Sequence, residues 1–381
     1  MRVYQISKPK DIYKSLESLG VDSGGVKIIA KKMDTLFFKI ERLKTAGANI
    51  LKQEALSVGA ELAVPAGTIT CESERVDAIL VATKSQLQIL SKKCLAQPFG
   101  LEEIGKRLQE FLSIKSFPLK IMGVINANSD SFFSRSRFQE TQAVKQIYKM
   151  LKDGADIIDI GGVSSRPGAV GVSVEEELSR VKPICDAIKR ERLFEKNTFS
   201  IDSYTPEVIE YALNSGFSFI NDITGARNER VIELAKKYQT KLCIMHMQGE
   251  PQTMQKSPKY ESVVDEVDKF FTDRVQKCQE LGVKRENIIL DVGIGFGKTL
   301  KHNLELINSH SHFQHFGCEL LIGASRKSMI DKIVPTPVEE RLAGTLAIHL
   351  KTYERGANII RCHDVKEHIQ AFRVWEEIIG S

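Results

Sequence analysis

The chain has no long apolar run. Of its 381 residues 42% are hydrophobic and 27% charged, and no stretch approaches the roughly 18 consecutive apolar residues that a membrane span requires. The start, Met1-Arg-Val-Tyr-Gln-Ile-Ser-Lys-Pro-Lys10, has no signal-peptide apolar region either, so a cytoplasmic location is expected. Cys-x-x-Cys is also missing: the seven cysteines are odd in number and scattered from Cys71 to Cys362. They read as reduced, mostly buried thiols, and not as a disulfide framework or zinc site. Strong charge of one sign is absent too. The net charge of +5 is local to residues 1–115, with 18 Lys/Arg against 13 Asp/Glu, and the remainder balances at 36 against 36. No dense or aromatic-interleaved basic run supports nucleic-acid binding.

What is present is length and rhythm. A chain of 381 residues exceeds the roughly 250–300 residues at which single cores stop growing, so two domains are expected. Residues 1–115 mix strand-like runs (Arg2–Ile6, Leu36–Ile40, Ala78–Ala82) with helical ones (Asp11–Leu19, Ile50–Val58, Ser85–Cys94, Leu101–Leu112). This predicts a small α+β domain with an accessory role. Ser113–Lys120, with Pro118, reads as the linker.

From Ile121 onward, apolar strands at about 121–125, 156–160, 199–201, 217–220, 242–245, 287–290, 319–323 and 358–361 alternate with helical stretches. Several helices open on start signals: Ser173 before three glutamates, Thr205 before Pro206, and Pro337 before Val-Glu-Glu. The longest, 260–281, repeats Val264, Val267, Phe271, Val275 and Cys278 at three- and four-residue spacing. The last, about 365–379, carries the single tryptophan, Trp375, expected to pack against the strands of these units. Strand–helix alternation demands parallel strands with right-handed crossovers. Eight such units over 116–381 predict an α/β fold, a (β/α)8 TIM barrel. A doubly wound open sheet would instead gather its polar residues at one switch point.

Here every unit ends polar. The ends are Asn126; Asp159, then Gly161 to Gly168; Asp202-Ser203; Asn221-Asp222; His246-Met-Gln; Asp291, then Gly293 to Lys298; Ser325-Arg-Lys327; and Arg361-Cys-His363-Asp364. In a barrel they share one rim. Any one of them is most simply a salt bridge or a cap, and only their convergence outweighs that reading. Asp202, Asn221 and Asp291 suit a flat heterocycle with ring N–H and amino donors. Asn126, Arg166, Lys327, Arg361 and His363 suit phosphate oxygens.

Three stretches need discrimination. Gly297-Lys298-Thr299 imitates the end of a P-loop, but Val292 stands where its first glycine belongs, which argues against nucleotide triphosphate hydrolysis. A flexible glycine loop that brings Phe296 to a flat ligand fits better. His310-Ser-His312-Phe-Gln-His315 matches no zinc spacing and reads as a solvated surface loop. His246 divides evenly between lining the pocket and a hydrogen-bonded core position.

With these residues in place, the sequence closely resembles the dihydropteroate synthase family over about residues 120–379. The similarity rests on Ile157-Ile-Asp-Ile-Gly-Gly with Ser165-Arg-Pro-Gly-Ala169, Ile220-Asn-Asp-Ile223, Met245-His-Met-Gln-Gly249, Gly295-Phe-Gly-Lys298, Ser325-Arg-Lys-Ser-Met329 and Ile360-Arg-Cys-His-Asp-Val365. The resemblance implies that dihydropterin pyrophosphate is joined to p-aminobenzoate, the compound that sulfonamides mimic. It implies that Asp202, Asn221, Asp291 and Lys327 hold the pterin, with Met245 in its pocket and Arg361 against the ring. Asn126 would bind Mg2+ and pyrophosphate, joined by Arg166, Arg361 and His363, while Ser165, Pro167, Phe296 and Ser325 frame the aminobenzoate. Loops at 127–137 and 163–172 would close over the substrates, and a homodimer is the usual assembly.

The chain departs from the family pattern in three places. Ala127-Asn-Ser replaces the usual Val-Thr-Pro after Asn126, Val163 stands where glutamate is common, and Val292 where proline is common. The first of these puts loop closure in question and none removes a predicted ligand contact. Two rivals remain. A methyltetrahydrofolate methyltransferase has no use for a pyrophosphate clamp, and a non-catalytic pterin-binding protein has no need of the Asn126, Arg166, Arg361 and His363 set.

Overall fold

The structure is a computed structural model and describes residues 16–32, 35–113, 117–127, 136–163, 172–249, 253–255 and 257–380. The predicted strand Arg2–Ile6, most of the helix Asp11–Leu19, most of both closing loops, and Ser165, Arg166 and Pro167 lie outside these residues. The chain divides into two compact units, one of Met1–Lys115 with Glu376–Ser381 and one of Ser116–Trp375. The last residues thus belong with the first unit, whereas the sequence placed all of 116–381 together.

In the first unit, β1 (Thr35–Lys44), β3 (Arg75–Thr83) and β2 (Glu61–Ala63) form an antiparallel sheet in the order β1-β3-β2. Helices Thr45–Ser57, Lys84–Leu95 and Leu101–Ser113 match the predicted ones. Val76, Ala78, Leu80 and Ala82 alternate with exposed or half-buried neighbours along β3 and join Leu51, Leu62, Leu87 and Leu90 in one core, as expected for a sheet with one covered face. The sequence did not suggest β2, which is only three residues long, or the helix Ser23–Ala30. That helix opens on Ser-Gly-Gly, a poor helical start, and is held by Asp22, whose carboxylate accepts the Gly24 and Gly25 N–H groups.

The second unit is a closed parallel barrel in the order β10-β11-β4-β5-β6-β7-β8-β9. Its strands are β4 (Lys120–Asn126), β5 (Ile157–Gly161), β6 (Thr198–Asp202), β7 (Phe219–Asp222), β8 (Lys241–Met245), β9 (Ile288–Asp291), β10 (Glu319–Ile322) and β11 (Ile359–Cys362). All eight fall within a few residues of the predicted positions. The Ser173 cap works as read, accepting the Glu176 N–H ahead of helix Val174–Arg190; the long helix, Val263–Glu280, is buried at Val267, Phe271, Val275 and Cys278 and starts from Ser262, a cap the sequence reading did not name. Pro337 opens only a 3-10 turn, Val338–Glu340, before helix Leu342–Glu354.

Because strand side chains alternate with period two, each strand splits into two sets. Ile158, Ile160, Phe199, Ile201, Ile220, Ile244, Leu290, Leu320 and Ile360 join the main hydrophobic core with residues of the surrounding helices. Met122, Ile157, Phe219, Cys243, Ile289, Leu321 and Ile359 form a separate cluster; this is the barrel interior. Two residues further along, on the same inward face, stand Asp159, Asn221, Met245, Asp291 and Arg361. The interior therefore changes from apolar to polar in one step toward the C-terminal ends.

At the strand beginnings a single buried acid, Glu319, accepts from Lys120 (2.6 Å), Lys241 and Asn358 (3.0 Å). Burial would raise its pKa, but the two lysines hold it below the ordinary glutamate value. The ion pairs thus contribute stability above the unfolded carboxyl pKa, lost as pH falls through the folded one. Glu319→Ala is expected to lower stability by about 2–3 kcal/mol, since it strands partly exposed lysines. Urea unfolding checks the loss, and turnover per folded molecule should not change.

Candidate active site

The polar residues beyond the apolar layer are joined through one guanidinium. Arg361 Nε donates to Asp159 Oδ2 at 2.6 Å and Arg361 Nη2 to Asp202 Oδ2 at 2.6 Å. Asn221 Nδ2 donates to the same Asp159 oxygen at 3.0 Å. Asp159 is fully buried, and its Oδ1 has no donor among the described residues, so it is an acceptor available to a ligand. Burial alone would lower the Arg361 pKa, but the Asp159 and Asp202 charges raise it above its usual value. The guanidinium is a fixed cation.

The carboxylates respond oppositely. Burial pushes Asp202 up to about 7, against the pull of Arg361 and helped by the charges of Asp159, Glu177 and Asp222. Burial also raises Asp291, opposed by the Gly293 N–H that its Oδ1 accepts at 2.8 Å. Three carboxylates face the two cations Arg361 and Lys327, so one proton is held more tightly than usual. Burial lowers Lys327 to about 8. Its Nζ donates to the Ile294 carbonyl at 2.8 Å and lies 4.0 Å from the Phe296 ring centroid, a cation–π contact. Phe296 itself clusters with Met245, Met247, Met254 and Ile223.

The predicted residues sort by what they touch. Asp202, Asn221, Arg361 and, through Phe296, Lys327 and Met245 form connected groups; Asp291 lies beside Met245 in the β8–β9 register. Ser325 Oγ meets His363 Nδ1 at 2.9 Å and accepts the His363 N–H at 3.3 Å, which joins the ends of β10 and β11. Asn126 is half-buried at the end of β4, level with Gly161. The donors here are oxygens, and the neighbouring thiols of Cys243 and Cys362 are held protonated by burial. Such a set suits a hard cation like Mg2+, which takes one or two protein oxygens plus substrate phosphates and water.

Other strand-end groups serve the scaffold. Asp222 accepts from Thr224 N–H, Thr224 Oγ1 and Ala226 N–H, which makes it a loop cap. His246 is buried and meets the Lys298 ammonium at 3.0 Å through Nδ1; burial pushes the histidine down to about 2 and the lysine to about 7. The core reading of His246 therefore holds. The glycine loop is not loose. At Gly293 (φ +68) a Cβ would sit 2.0 Å from the His246 carbonyl oxygen, and at Gly297 (φ +62) 2.4 Å from that of Gln248. Glycine is required there for close backbone approach and positive φ, which corrects the expectation of flexibility.

Sequence reasoning placed Asp159 among the polar strand ends but gave it no role in binding, although an acid inside Ile157-Ile-Asp-Ile, covered on both faces, was the available signal. It also missed the supports of Ser325 and His363. Arg326 binds Asp364 bidentately, Nε–Oδ2 2.9 Å and Nη2–Oδ1 2.7 Å. His349 Nε2 accepts the Ala324 N–H at 3.1 Å, so its Nδ1 carries the proton given to His368 Nε2 at 2.9 Å. His368 Nδ1 must then donate to the Asp364 carbonyl at 2.6 Å. Both rings are kept neutral, chiefly by burial, and the chain ties the residue before Ser325 to the residue after His363.

The model of the pterin binding enzyme family matches residues 122–363. The chain is 37% identical over 371 residues to a bifunctional dihydropteroate synthase/dihydropteroate reductase of Helicobacter pylori, covering 97% of each chain. It is 43% identical over 262 residues to the dihydropteroate synthase of Escherichia coli, covering 68% of this chain and 92% of that one. The crystal structure of Yersinia pestis dihydropteroate synthase with a sulfonamide drug complex superposes with a TM-score of 0.65 at 37% identity, over 69% of this chain and 95% of that chain.

The raised Asp202 pKa has a consequence for stability. A carboxyl whose folded pKa lies above its unfolded value contributes stability at low pH and loses it as pH rises through about 7. Asp202→Asn removes this liability. Three pKa units correspond to about 4 kcal/mol, and loss of one Arg361 partner reduces the net gain to about 1–3 kcal/mol. Without ligand the variant should be more stable than wild type at pH 8, by a margin that shrinks toward pH 5. Urea unfolding in which wild type is the more stable protein at pH 8 would contradict the assignment.

Proposed function

The chain belongs to the pterin-binding enzyme family, alongside the dihydropteroate synthases, and on that premise we propose how its strand-end residues divide the work. It is an enzyme of folate biosynthesis that condenses 6-hydroxymethyl-7,8-dihydropterin pyrophosphate with p-aminobenzoate to give 7,8-dihydropteroate and pyrophosphate. The observation that carries the site reading is one half-buried Arg361 shared between Asp159 and Asp202, with Asn221 donating to the same Asp159 oxygen, at the polar end of the barrel interior.

In this reading Asp202, Asn221 and Asp291 present acceptors and an amide to the edge of the pterin, with Lys327 beside it and Met245 in the apolar wall. Arg361, held by its two acids, lies against the ring. Asn126, Arg166, Arg361 and His363 receive the pyrophosphate, and Ser165, Pro167, Phe296 and Ser325 frame p-aminobenzoate. The C–O bond between the pterin methylene and pyrophosphate breaks as the aniline nitrogen forms the new C–N bond and releases its proton. The electron-rich pterin spreads the positive charge, so the leaving group is what needs help. Cationic donors fixed in advance stabilise it, an effect that reaches roughly 3–4 kcal/mol per donor in other enzymes. Asn126 with substrate phosphates would hold Mg2+, which supplies further neutralisation of that charge. The aniline is weakly basic and needs no strong general base.

We extend the reading to a cytoplasmic homodimer. Its support is the resemblance together with seven free cysteines; among the described residues no helix is long and apolar enough to cross a membrane. Sedimentation at one chain mass would remove the dimer.

A second activity is favoured by the match to the Helicobacter pylori bifunctional protein, because it spans residues 1–115 as well as the barrel. We propose that this chain also reduces 7,8-dihydropteroate: hydride from a reduced nicotinamide or flavin to C6, a proton to N5, and tetrahydropteroate as product. The full chain given 7,8-dihydropteroate and either reductant should yield a product heavier by two hydrogens. With neither, the first unit has another role and the condensation is untouched.

For the condensation, mixing both substrates with wild type should release one pyrophosphate per dihydropteroate formed. Arg361→Ala is expected to cut kcat/KM by more than a hundredfold, about 3 kcal/mol. Near wild-type turnover in that variant would remove Arg361 from the leaving-group clamp.

A further inference from the structure

The histidine run that the sequence offered as a solvated loop is an ordered 3-10 helix, His310–Phe316. With three residues per turn, His310, Phe313 and Phe316 fall on one side and are buried. His312 and His315 share the outer side. Their rings are steadied by neighbours: His315 lies against Phe316 with centroids 4.0 Å apart, and His312 meets Phe313 edge-on at 5.2 Å. Asp268 reaches them from the second turn of helix Val263–Glu280. Its Oδ1 is 2.9 Å from His312 Nε2 and 2.5 Å from His315 Nε2, and all three donor atoms lie within 4.8 Å of one another.

We propose that Asp268, His312 and His315 form a binding site for a divalent first-row transition ion, of which Zn2+, Ni2+ and Cu2+ are the members that favour imidazole. Such ions bind imidazole nitrogen and carboxylate oxygen at about 2.0–2.2 Å, which spaces adjacent ligands about 3 Å apart, close to the two N–O distances present. Two nitrogens and one oxygen disfavour Mg2+, which wants an oxygen set. Three protein ligands leave the remaining coordination position to water. None of the three residues belongs to the inward-facing set of the barrel, so the site is separate from the chemistry of the strand ends and does not rest on the proposed reaction. By joining helix Val263–Glu280 to the segment that leads into β10, a bound ion would brace the outer layer and stabilise the folded chain.

Calorimetric titration of the untagged full chain with ZnCl2, NiCl2 or CuCl2 tests this directly. The expected result is one saturable ion per chain, an affinity at least tenfold weaker in His312→Ala, His315→Ala and Asp268→Asn, and no such binding in the double variant His312→Gln/His315→Gln. A thermal melt without metal confirms that each variant is folded. With Cu2+, electron paramagnetic resonance should show coupling to two nitrogens in wild type and one in each single histidine variant. Turnover should be the same in the double variant as in wild type. Absence of saturable uptake, or uptake undiminished in the folded double variant, which would place the ion on other donors such as exposed Cys71, overturns the proposal.

Discussion

The guanidinium of Arg361, shared between Asp159 and Asp202 across the barrel interior, is the interaction on which the rest of the site depends. It brings together β11, β5 and β6, whose partners are 202 and 159 residues away in the chain, and it uses the property that distinguishes arginine, a planar fork of donors that stays charged when buried. Asp159 is held on the same oxygen by Asn221, so β7 enters the same network. Remove the cation and the acids lose their shared counter-charge.

The barrel makes this arrangement possible by a simple alternation. Every strand gives one face to the helices and the other to the interior. The interior face is apolar at Ile157, Phe219, Ile289 and Ile359 and polar two residues later at Asp159, Asn221, Asp291 and Arg361. The apolar layer closes the barrel and supports the fold, while the polar layer carries partly unsatisfied charge, including a buried carboxylate oxygen with no donor among the described residues. Such a layer is costly without ligand and ready for one. The same tension shows in Asp202, whose raised pKa marks a carboxylate less well solvated in the barrel than in water.

Much of this was legible in the sequence because it is local. Strand positions follow from short apolar runs, helix starts from Ser173 and Thr205-Pro206, and the rim from the polar residue that ends each run. The period of two also placed Asp159 beside Ile157 on one face, and that signal went unused. What stayed hidden were pairings between residues far apart in sequence: Asp159 with Arg361, His246 with Lys298, Asp268 with His312 and His315, and the His349–His368 relay. Asp222 and Asn221 illustrate the difference. They are adjacent polar residues at the end of one strand, yet Asn221 faces inward to Asp159 while Asp222 caps its own loop, a division set by strand alternation and the turn that follows.

The supports around the site extend the same logic outward. Glycine at 293 and 297 lets one loop lie against the 246–248 backbone, Arg326 and the two neutral histidines lock the ends of β10 and β11, and each removes freedom from a group that must be in place before the substrates arrive. Preorganisation of this kind is where an enzyme that works by positioning and charge gains its rate. The most direct test is a double-mutant cycle on pterin affinity, measured by calorimetry for wild type, Arg361→Ala, Asp159→Asn and the double variant. A fixed clamp predicts a coupling energy of about 1–3 kcal/mol between the two residues; effects that simply add, with coupling within about 0.3 kcal/mol, would contradict it.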